Sequence, residues 1–314
     1  MNELYAALLR HDPPAWRAAL AAIDPQLHPV DRNATHIWFA FFPLELHLAL
    51  EAAPDPDALV RRLELKGRWR LDGQIGSSHR FLYAHRYWPQ VRSAMESADG
   101  SGELADVVRE VATAAAPAAG VAPGLLYGIA AVLLMTLRQV GPDAFRAEPA
   151  TVHLSEARRT STPDEVLRKR ARDDSQGLLG FLRGVRKQWT VTFDEDDPAG
   201  RFRAIDGQEI ATAARVDRRD FHARDPRCVP NEGPIPVQCR SASCGMCWIG
   251  VLGGAEKLSP VDDRDERRRM RVFGYLDSPD ERPILRLACQ ARAHGAVSIV
   301  IPPWNGVIST LTKR

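Results

Sequence analysis

The sequence predicts an α+β protein whose N-terminal part is all helical and whose C-terminal part combines strands with short helices. Before residue 146 the chain is rich in alanine and leucine, and helix-start signals such as Asp55 followed by Pro56 recur along it. After residue 187 the hydrophobic period changes to two, because Trp189, Val191 and Phe193 alternate with polar residues. The 314 residues have room for two domains.

The N-terminal part, residues 1–145, is expected to contain five to seven helices. Segments expected to be helical include residues 58–66, 78–88, 103–116 and 124–140, the last of which is expected to end at Gly141 and Pro142. The longest apolar run, residues 125–137, is shorter than the roughly 20 residues that a bilayer requires, so we expect a core helix there. The first ten residues lack the features of a secretory signal, and we expect a cytoplasmic setting.

Residues 146–186 are expected to form a charged linker that carries an exposed helix. Residues 156–174 are densely charged and have a sparse apolar stripe, and Thr162 followed by Pro163 marks a helix start. The second domain, residues 187–314, is expected to contain a β-hairpin within residues 188–204, a short helix at residues 209–214 and a closing strand at residues 297–301. The predicted division is therefore 1–145, 146–186 and 187–314.

Charge and cysteine content narrow the function classes. Charged residues make up 26% of the chain and the formal net charge is +2, which favours neither nucleic acid nor membrane insertion. The 5 cysteines all lie between residues 228 and 289. An odd, clustered set in a chain without a secretory signal argues against a disulfide framework and for a metal site.

Four of the cysteines form a metal-binding pattern. Cys239, Cys244 and Cys247 have the spacing C-x4-C-x2-C, and 41 residues separate the third from Cys289. Two irons bridged by two sulfides need four thiolates, which a tight loop and one distant residue can supply. Gly245 is expected to let the backbone bend close to the cluster, and the backbone amides of residues 240–247 are expected to point at the sulfides of the cluster and stabilise its reduced state.

Other uses of the cysteines stay open at this point. A structural zinc site also uses cysteines, although it usually pairs two C-x2-C motifs and this chain has one. A Rieske centre requires two histidine ligands, and neither half of the motif supplies one. The fifth cysteine, Cys228, is either an inert thiol or a redox-sensing one, and nothing in the sequence indicates a depressed thiol pKa.

Residues 187–304 resemble the plant-type and related bacterial [2Fe–2S] ferredoxins, which have a β-grasp fold. The resemblance rests on the cysteine spacing, on the start Cys239-Arg240, and on the RLACQ stretch that contains Cys289. It implies that Cys239 and Cys244 hold one iron and that Cys247 and Cys289 hold the other. The segment of residues 239–247 is then the cluster loop.

Three departures from the family pattern have structural consequences. The 41-residue gap is longer than the usual one, so an additional helix is expected at residues 261–273. Ala242 stands where plant-type loops often carry glycine, and residues 215–237 are expanded. None of these departures removes a ligand.

The rest of the chain contains no recognisable catalytic motif. G-x-G-x-x-G, Walker and flavin motifs and a Ser/His/Asp order are absent from the sequence, so no catalytic residue is assigned and electrons are expected to come from an external donor. We expect a one-electron carrier that works with a larger redox enzyme of the hydrogenase, dehydrogenase or oxygenase type. The alternatives are a cluster-based redox sensor, and an enzyme in the N-terminal domain that is fed by the cluster.

Histidines and arginines raise two further possibilities. Seven of the nine histidines precede residue 154, and because a b-type haem leaves no sequence signature, haem stays open as a further cofactor. His79 and His85, six residues apart, do not share a helix face. Residues 181–314 contain 22 Lys and Arg against 18 Asp and Glu, a net charge of +4. Arg240 and the arginines at 267–269 and 271 form either a docking face for an acidic partner or a solvated surface.

Overall fold

The computed structural model describes residues 1–172, 187–275 and 278–312. The chain divides into two compact units. The helical unit comprises Met1–His47 and Arg70–Pro163, and the sheet unit comprises Leu48–Trp69 and Asp164–Arg314. The division at residues 145 and 186 stays a prediction. In the structure, residues 48–69 of the first predicted domain belong to the sheet unit, and residues 173–186 of the predicted linker lie outside the described residues.

The helices of the described residues are α1 (Asn2–Leu8), α2 (Pro13–Ile23), α3 (Pro29–Phe41), α4 (Leu44–Ala52), α5 (Pro56–Arg62), α6 (Trp88–Ser97), α7 (Leu104–Ala119), α8 (Tyr127–Ala147), α9 (Glu156–Thr160), α10 (Pro163–Ala171), α11 (Ile210–Ala214), α12 (Arg268–Phe273) and α13 (Ser309–Thr312). The strands are β1 (Lys66–Gly67), β2 (Gln188–Thr192), β3 (Arg201–Ile205), β4 (Gln208–Glu209), β5 (Trp248–Gly253), β6 (Leu285–Leu287), β7 (Arg292–Ala293), β8 (Val297–Val300) and β9 (Trp304–Asn305). The helical unit, all of whose residues are described, has no strand, so the α+β class with an all-helical N-terminal part is confirmed.

Helix starts follow from capping side chains and prolines. The carboxylates of Asp12 and Asp55 accept hydrogen bonds of 2.9 Å from the backbone N–H of Ala15 and Ala58, and both helices have proline in their first turn. Both devices stabilise a helix N-terminus. The predicted helix start at Asp55 is therefore confirmed, although α5 ends at Arg62 instead of residue 66.

The long helix α8 differs from its prediction at its end. Gly141 adopts φ 78° and ψ 166°, which kinks the helix, but helical structure resumes and continues to Ala147. A glycine and a proline therefore bend this helix where they were expected to end it. Eight α-helices, α1–α8, begin before residue 141, one more than the predicted upper limit. Within the described ranges, no helix has both the length and the apolar character needed to cross a membrane.

The helix predicted at residues 78–88 is wrong. This segment forms turns and a 3-10 helix, Tyr83–Tyr87. The cause is the buried side chain of Asp31, whose two carboxylate oxygens accept hydrogen bonds from the backbone N–H groups of Tyr83 at 2.6 Å and Ala84 at 2.7 Å. This tertiary cap fixes a new helix start inside the predicted one.

The main sheet of the sheet unit has the strand order β3-β2-β8-β5-β6 in the described residues. β2 pairs with β3 as an antiparallel hairpin and with β8 in parallel, while β5 pairs antiparallel with both β8 and β6. The central strands β2, β5 and β8 bury consecutive residues, and Val191, Ile249 and Ile299 are among the buried hydrophobic ones. The hairpin, the short helix α11 and the parallel closing strand β8 are those of a β-grasp domain, as predicted.

Residues 48–69 join the sheet unit through a second, two-stranded sheet. β1 pairs antiparallel with β9, so that Lys66 lies opposite Asn305 and Gly67 opposite Trp304. The carbonyl of Leu63 also accepts a hydrogen bond of 2.8 Å from the backbone N–H of Val307, which follows β9. A segment from the N-terminal half of the sequence therefore holds the C-terminal end of the chain in place.

The two helical segments expected around the sheet are present with different bounds. The additional helix is a turn of π-helix, Asp263–Arg267, followed by α12. It starts at residue 263 because the Asp262 carboxylate caps it, accepting hydrogen bonds from the N–H groups of Arg264 at 2.7 Å and Asp265 at 3.1 Å. In the predicted linker, the side chain of Arg170 on α10 is only 5% exposed and pairs with Glu195 at 2.7 Å. The rest of α10 is exposed or half-buried.

Candidate functional site

The cluster loop curls through three residues with left-handed backbone. Arg240, Ala242 and Gly245 have φ of 57°, 56° and 71°. This conformation favours glycine and costs another L-residue roughly 1–2 kcal/mol. Ala242 thus takes a glycine-like conformation at the position where the family often has glycine.

The loop and the end of β6 bring the four predicted ligands together as two thiol pairs. The thiols of Cys239 and Cys244 lie close enough to shift each other's pKa, and so do those of Cys247 and Cys289. The backbone N–H of Ala288 donates to the carbonyl of Cys247 at 2.8 Å. The distant cysteine is therefore fixed to the loop by a backbone bond at the adjacent residue.

Backbone amides face the sulfurs of the first pair. The N–H of Ser243 donates to Cys239 Sγ at 3.3 Å. The N–H of Ser241 faces the same sulfur and the N–H of Met246 faces the sulfur of Cys244, and each lowers the pKa of the thiol that it faces. Burial raises the pKa of Cys239, but the side chain of Ser243, the backbone N–H of Ser241 and then the Cys244 thiol outweigh it and lower this pKa to about 6. Near neutral pH this sulfur is a thiolate, the form that binds metal.

The second pair shares a proton. The hydrogen bond from Cys247 lowers the pKa of Cys289, while the same bond, together with burial, raises the pKa of Cys247 well above its ordinary value. The N–H of Ala242 and the side-chain amide of Gln290 also donate to the sulfur of Cys289. Amide N–H groups of the loop thus lie near cysteine sulfurs, and the expectation that they point at the sulfides of a cluster stays a prediction.

The role of Gly245 in bringing the backbone close to the cluster stays a prediction, and the structure adds a second constraint on this glycine. Its φ of +71° favours glycine, and a Cβ at this position would lie 3.1 Å from three ring carbons of Phe273. Phe273 ends α12 and is buried. The described residue that restricts this glycine is thus an aromatic ring of the additional helix, which also anchors that helix against the loop.

Two buried side chains hold the carbonyls of the cluster loop. The hydroxyl of Tyr275 lies 3.0 Å from the carbonyl oxygen of Gly245 and 3.0 Å from that of Gly306. The side-chain amide of Asn305 donates to the carbonyl of Met246 at 2.5 Å. Burial raises the pKa of Tyr275 well above 10, so its hydroxyl keeps the proton that it donates.

Aromatic packing fixes the ring of Tyr275. The indole of Trp248 stacks on it with ring centroids 4.7 Å apart and an interplanar angle of 21°. Trp304 packs edge-on against Trp248, with ring centroids 5.5 Å apart and an interplanar angle of 64°. The ring of Tyr275 is therefore held by packing that does not depend on its hydroxyl.

A fully buried ion pair connects the additional helix to β6. Glu266 and Arg286 have side chains that are 1% and 0% exposed, and two hydrogen bonds of 2.8 Å join the guanidinium to the carboxylate. Glu266 Oε1 also accepts from the backbone N–H of Leu287 at 2.8 Å. The pair therefore determines where β6 ends, two residues before Cys289.

The fifth cysteine lies apart from the thiol pairs. Cys228 is buried, and its Sγ donates to the carbonyl of Pro234 at 3.3 Å. Burial, and then the neighbouring Asp225, raises the pKa of Cys228 to about 12. A protonated, buried thiol is unreactive, which agrees with the inert thiol considered from the sequence.

Several of the basic residues expected near the cluster hydrogen-bond to other parts of the sheet unit. The guanidinium of Arg267 donates to the carbonyls of Ser278 and Asp280, and Arg240 pairs with Glu232 at 2.8 Å. Other arginines of the additional helix, at residues 268, 269 and 271, are exposed. A docking face on this helix therefore does not include Arg267.

In the helical unit, His79 and His85 lie together although they share no helix face. Their Nδ1 atoms are 2.8 Å apart and hydrogen-bonded. Burial, and then His85, lowers the pKa of His79 well below 6.5. His79 Nε2 has no hydrogen-bond partner among the described residues. The sequence spacing missed this contact because the intervening residues form turns and no regular helix.

The donor set of the thiol pairs fits a two-iron cluster. In the ranges that the structure describes, no three or more His, Cys, Asp or Glu side chains converge on a position for a single metal ion. The thiols instead form two pairs, and amide N–H groups point at three of the four sulfurs. A [2Fe–2S] cluster takes four thiolates and is tuned by such hydrogen bonds.

Comparison with known families decides between the metals left open by the sequence. Residues 230–294 match the family of 2Fe-2S iron-sulfur cluster binding domains. This part of the chain is a [2Fe–2S] cluster-binding domain. The match includes all four cysteines of the pattern and supports an electron-transfer role for this ferredoxin-type domain, and it does not extend to the helical unit. No curated protein and no solved structure matches the chain significantly.

Sequence reasoning missed most of the residues that surround the thiols. Arg286 could have been identified because it lies in the RLACQ stretch that carries the resemblance. Glu266 is one of several acidic residues in a charged segment, and nothing in the sequence distinguishes it. Tyr275 and Asn305 have no recognisable signal, because they belong to irregular or two-residue segments without hydrophobic periodicity. Their role follows from tertiary contacts alone.

Proposed function

We propose that the protein is a one-electron carrier whose cluster is held by Cys239, Cys244, Cys247 and Cys289. The arrangement of these thiols as two pairs inside the matched segment carries the proposal. Cys239 and Cys244 would hold one iron, and Cys247 with Cys289 the other. When bound, a [2Fe–2S] cluster takes up and releases one electron at a time.

The chain's own residues supply the environment for that exchange. Amides of Ser241, Ser243 and Met246 donate to sulfurs of the first pair, which stabilises the added negative charge of the reduced state. Because the sequence contains no motif for a nicotinamide or a flavin, the electron would come from one redox protein and pass to another. A larger redox enzyme of the hydrogenase, dehydrogenase or oxygenase type is the partner class that we propose.

The first test is the composition of the full-length purified protein. We expect about two irons and two acid-labile sulfides per chain, and a spin-half signal after reduction by one electron. Replacing each of the four cysteines separately with serine is expected to lower the iron and sulfide content. Cys228→Ser is the matched control, because this cysteine is also buried in the sheet unit and is expected to leave the content unchanged.

The second test counts electrons. Protein reduced with dithionite and freed of excess reductant is expected to reduce one ferricytochrome c per chain, since each cluster carries one electron. Zinc in place of iron, or a Cys228→Ser variant that loses the cluster while Cys289→Ser keeps it, would refute the ligand assignment. More than one electron per chain would contradict a simple carrier and indicate a further redox centre.

A further inference from the structure

The peptide unit that joins Gly245 to Met246 has partners at both ends. Its carbonyl oxygen lies 3.0 Å from the hydroxyl of Tyr275, and its N–H faces the sulfur of Cys244 and lowers the pKa of that thiol. The C=O and N–H of a trans peptide point in opposite directions. Holding the carbonyl on the tyrosine therefore keeps the N–H directed at the sulfur.

The tyrosine is built to hold that orientation. Tyr275 is buried and stacked on Trp248 at 4.7 Å, so its ring cannot follow a moving loop. Its single phenolic hydrogen is shared between the carbonyls of Gly245 and Gly306, each 3.0 Å away. The hydroxyl thus ties the loop to the segment after β9.

A second donor holds the next peptide unit. Asn305 accepts from the guanidinium of Arg227 at 2.6 Å through Oδ1, which leaves its NH2 group to donate to the carbonyl of Met246 at 2.5 Å. Asn305 is fully buried. Two consecutive loop carbonyls are therefore bound by side chains on the side opposite their N–H groups.

We propose that Tyr275 is a positioning residue that sets the reduction potential of the cluster by keeping the Met246 N–H on the sulfur of Cys244. The proposal rests on the proposed ligand assignment. Hydrogen bonds to cluster sulfurs stabilise the more negative, reduced state and so raise the potential. Loss of the tyrosine hydroxyl frees the Gly245 carbonyl to turn, which weakens the N–H···S bond and makes reduction less favourable.

The test compares two tyrosine variants of the full-length, cluster-loaded protein. Tyr275→Phe keeps the stacked ring and removes the donor, and we expect the equilibrium constant for one-electron reduction to fall by up to about tenfold, which is about 59 mV. Tyr83→Phe is the matched control: Tyr83 is equally buried and donates at 3.0 Å to the carbonyl of Ser161 in the helical unit. We expect no shift in its potential.

A second readout reports the hydrogen bond itself. The chain has 5 methionines, and Met246 alone lies between two proposed ligands. In protein labelled with 15N-methionine, pulsed EPR of the reduced cluster is expected to show a 15N coupling that decreases in Tyr275→Phe. A merely structural role of Tyr275 would lower the melting temperature without changing this coupling or the potential.

The outcomes separate the two proposals. A wild-type protein without a [2Fe–2S] cluster on the four cysteines would refute the proposed function. A loaded Tyr275→Phe protein with unchanged potential and 15N coupling would refute the role of Tyr275 alone. If Tyr275→Phe does not bind the cluster, 4-aminophenylalanine is placed at residue 275, where its amino group restores a hydrogen-bond donor. Cluster binding with a reduction potential near that of the wild type then supports the proposal. Failure of this folded variant to load refutes it.

Discussion

In the helical unit, the buried carboxylate of Asp31 accepts hydrogen bonds from two consecutive backbone N–H groups, whereas in the sheet unit Tyr275 and Asn305 donate to two consecutive carbonyls of the cluster loop. An accepting side chain satisfies the N–H groups that begin a helix. A donating side chain satisfies carbonyls and leaves the N–H groups of the same peptides for another acceptor. In the cluster loop the acceptor at Met246 is a cysteine sulfur.

The two units also bury ionisable pairs of different kinds. In the sheet unit Glu266 and Arg286 form a hydrogen-bonded ion pair of opposite charges. In the helical unit His79 and His85 share a hydrogen bond between like groups, and burial holds the pKa of His79 low. The opposite charges of the ion pair compensate each other when buried, whereas the histidine pair is compatible with burial only while His79 is neutral.

The largest effect is expected from breaking the ion pair of the sheet unit. Glu266→Leu leaves the Arg286 guanidinium buried without its carboxylate, which is expected to lower the free energy of unfolding by about 3–5 kcal/mol. Urea unfolding of the full chain, followed by cluster absorbance, measures the loss. The double variant Glu266→Leu with Arg286→Met is expected to recover part of it, because no isolated charge remains. A single variant as stable as the wild type would contradict this account of the pair.

The ion pair and the glycine that faces Phe273 show where sequence reasoning succeeds and where it stops. The cysteine spacing predicted the family that residues 230–294 match, since four thiolates at these separations serve few purposes, while the ligand set itself stays a prediction. The hairpin and closing strand were predictable because alternation reports a half-buried strand directly. The partners of Gly245 and Glu266 were not, because a buried contact between segments distant in sequence leaves no local pattern.

The helical unit shows the same limit at Asp31. The α-helix expected at residues 78–88 failed because this carboxylate, 52 positions away from Tyr83, caps the backbone inside it. Local propensity cannot report a cap that comes from another helix. Neither could the sequence assign residues 48–69 to the sheet unit, since the pairing of Lys66 with Asn305 joins two segments of only two residues each.

An intermediate effect is expected at two glycines that differ in their surroundings. Gly245 and Gly73 have nearly equal φ, +71° and +72°, but a Cβ at Gly245 meets the ring of Phe273 at 3.1 Å while one at Gly73 meets nothing within 4 Å. Both alanine variants should lose roughly 1–2 kcal/mol through backbone conformation. Gly245→Ala should lose more, and should also bind less cluster.

The comparison of the two glycine variants isolates the ring contact. Thermal unfolding gives the stability of each, and iron content gives the cluster occupancy. Gly245→Ala combined with Phe273→Leu is expected to regain occupancy if the ring causes the additional loss. Equal losses in Gly245→Ala and Gly73→Ala, with full occupancy in both, would show that Phe273 does not restrict the loop.

The smallest effect is expected from pH and concerns the histidine pair of the helical unit. The pKa of His79 lies well below 6.5 in the folded protein because of burial and then His85. In the unfolded chain its pKa is near 6.5, so below that pH the unfolded state binds more protons and stability falls as pH decreases. One group can contribute a slope of at most about 1.4 kcal/mol per pH unit.

Unfolding of the helical unit at pH 7.5 and 5.5, followed by circular dichroism, should show a smaller pH difference in the free energy of unfolding in His79→Phe than in wild type. His153→Gln is the control, since this exposed histidine should leave the difference unchanged. If His79→Phe retains the full pH difference, His79 is protonated in the folded state without cost, and the contrast between the buried pairs of the two units is lost.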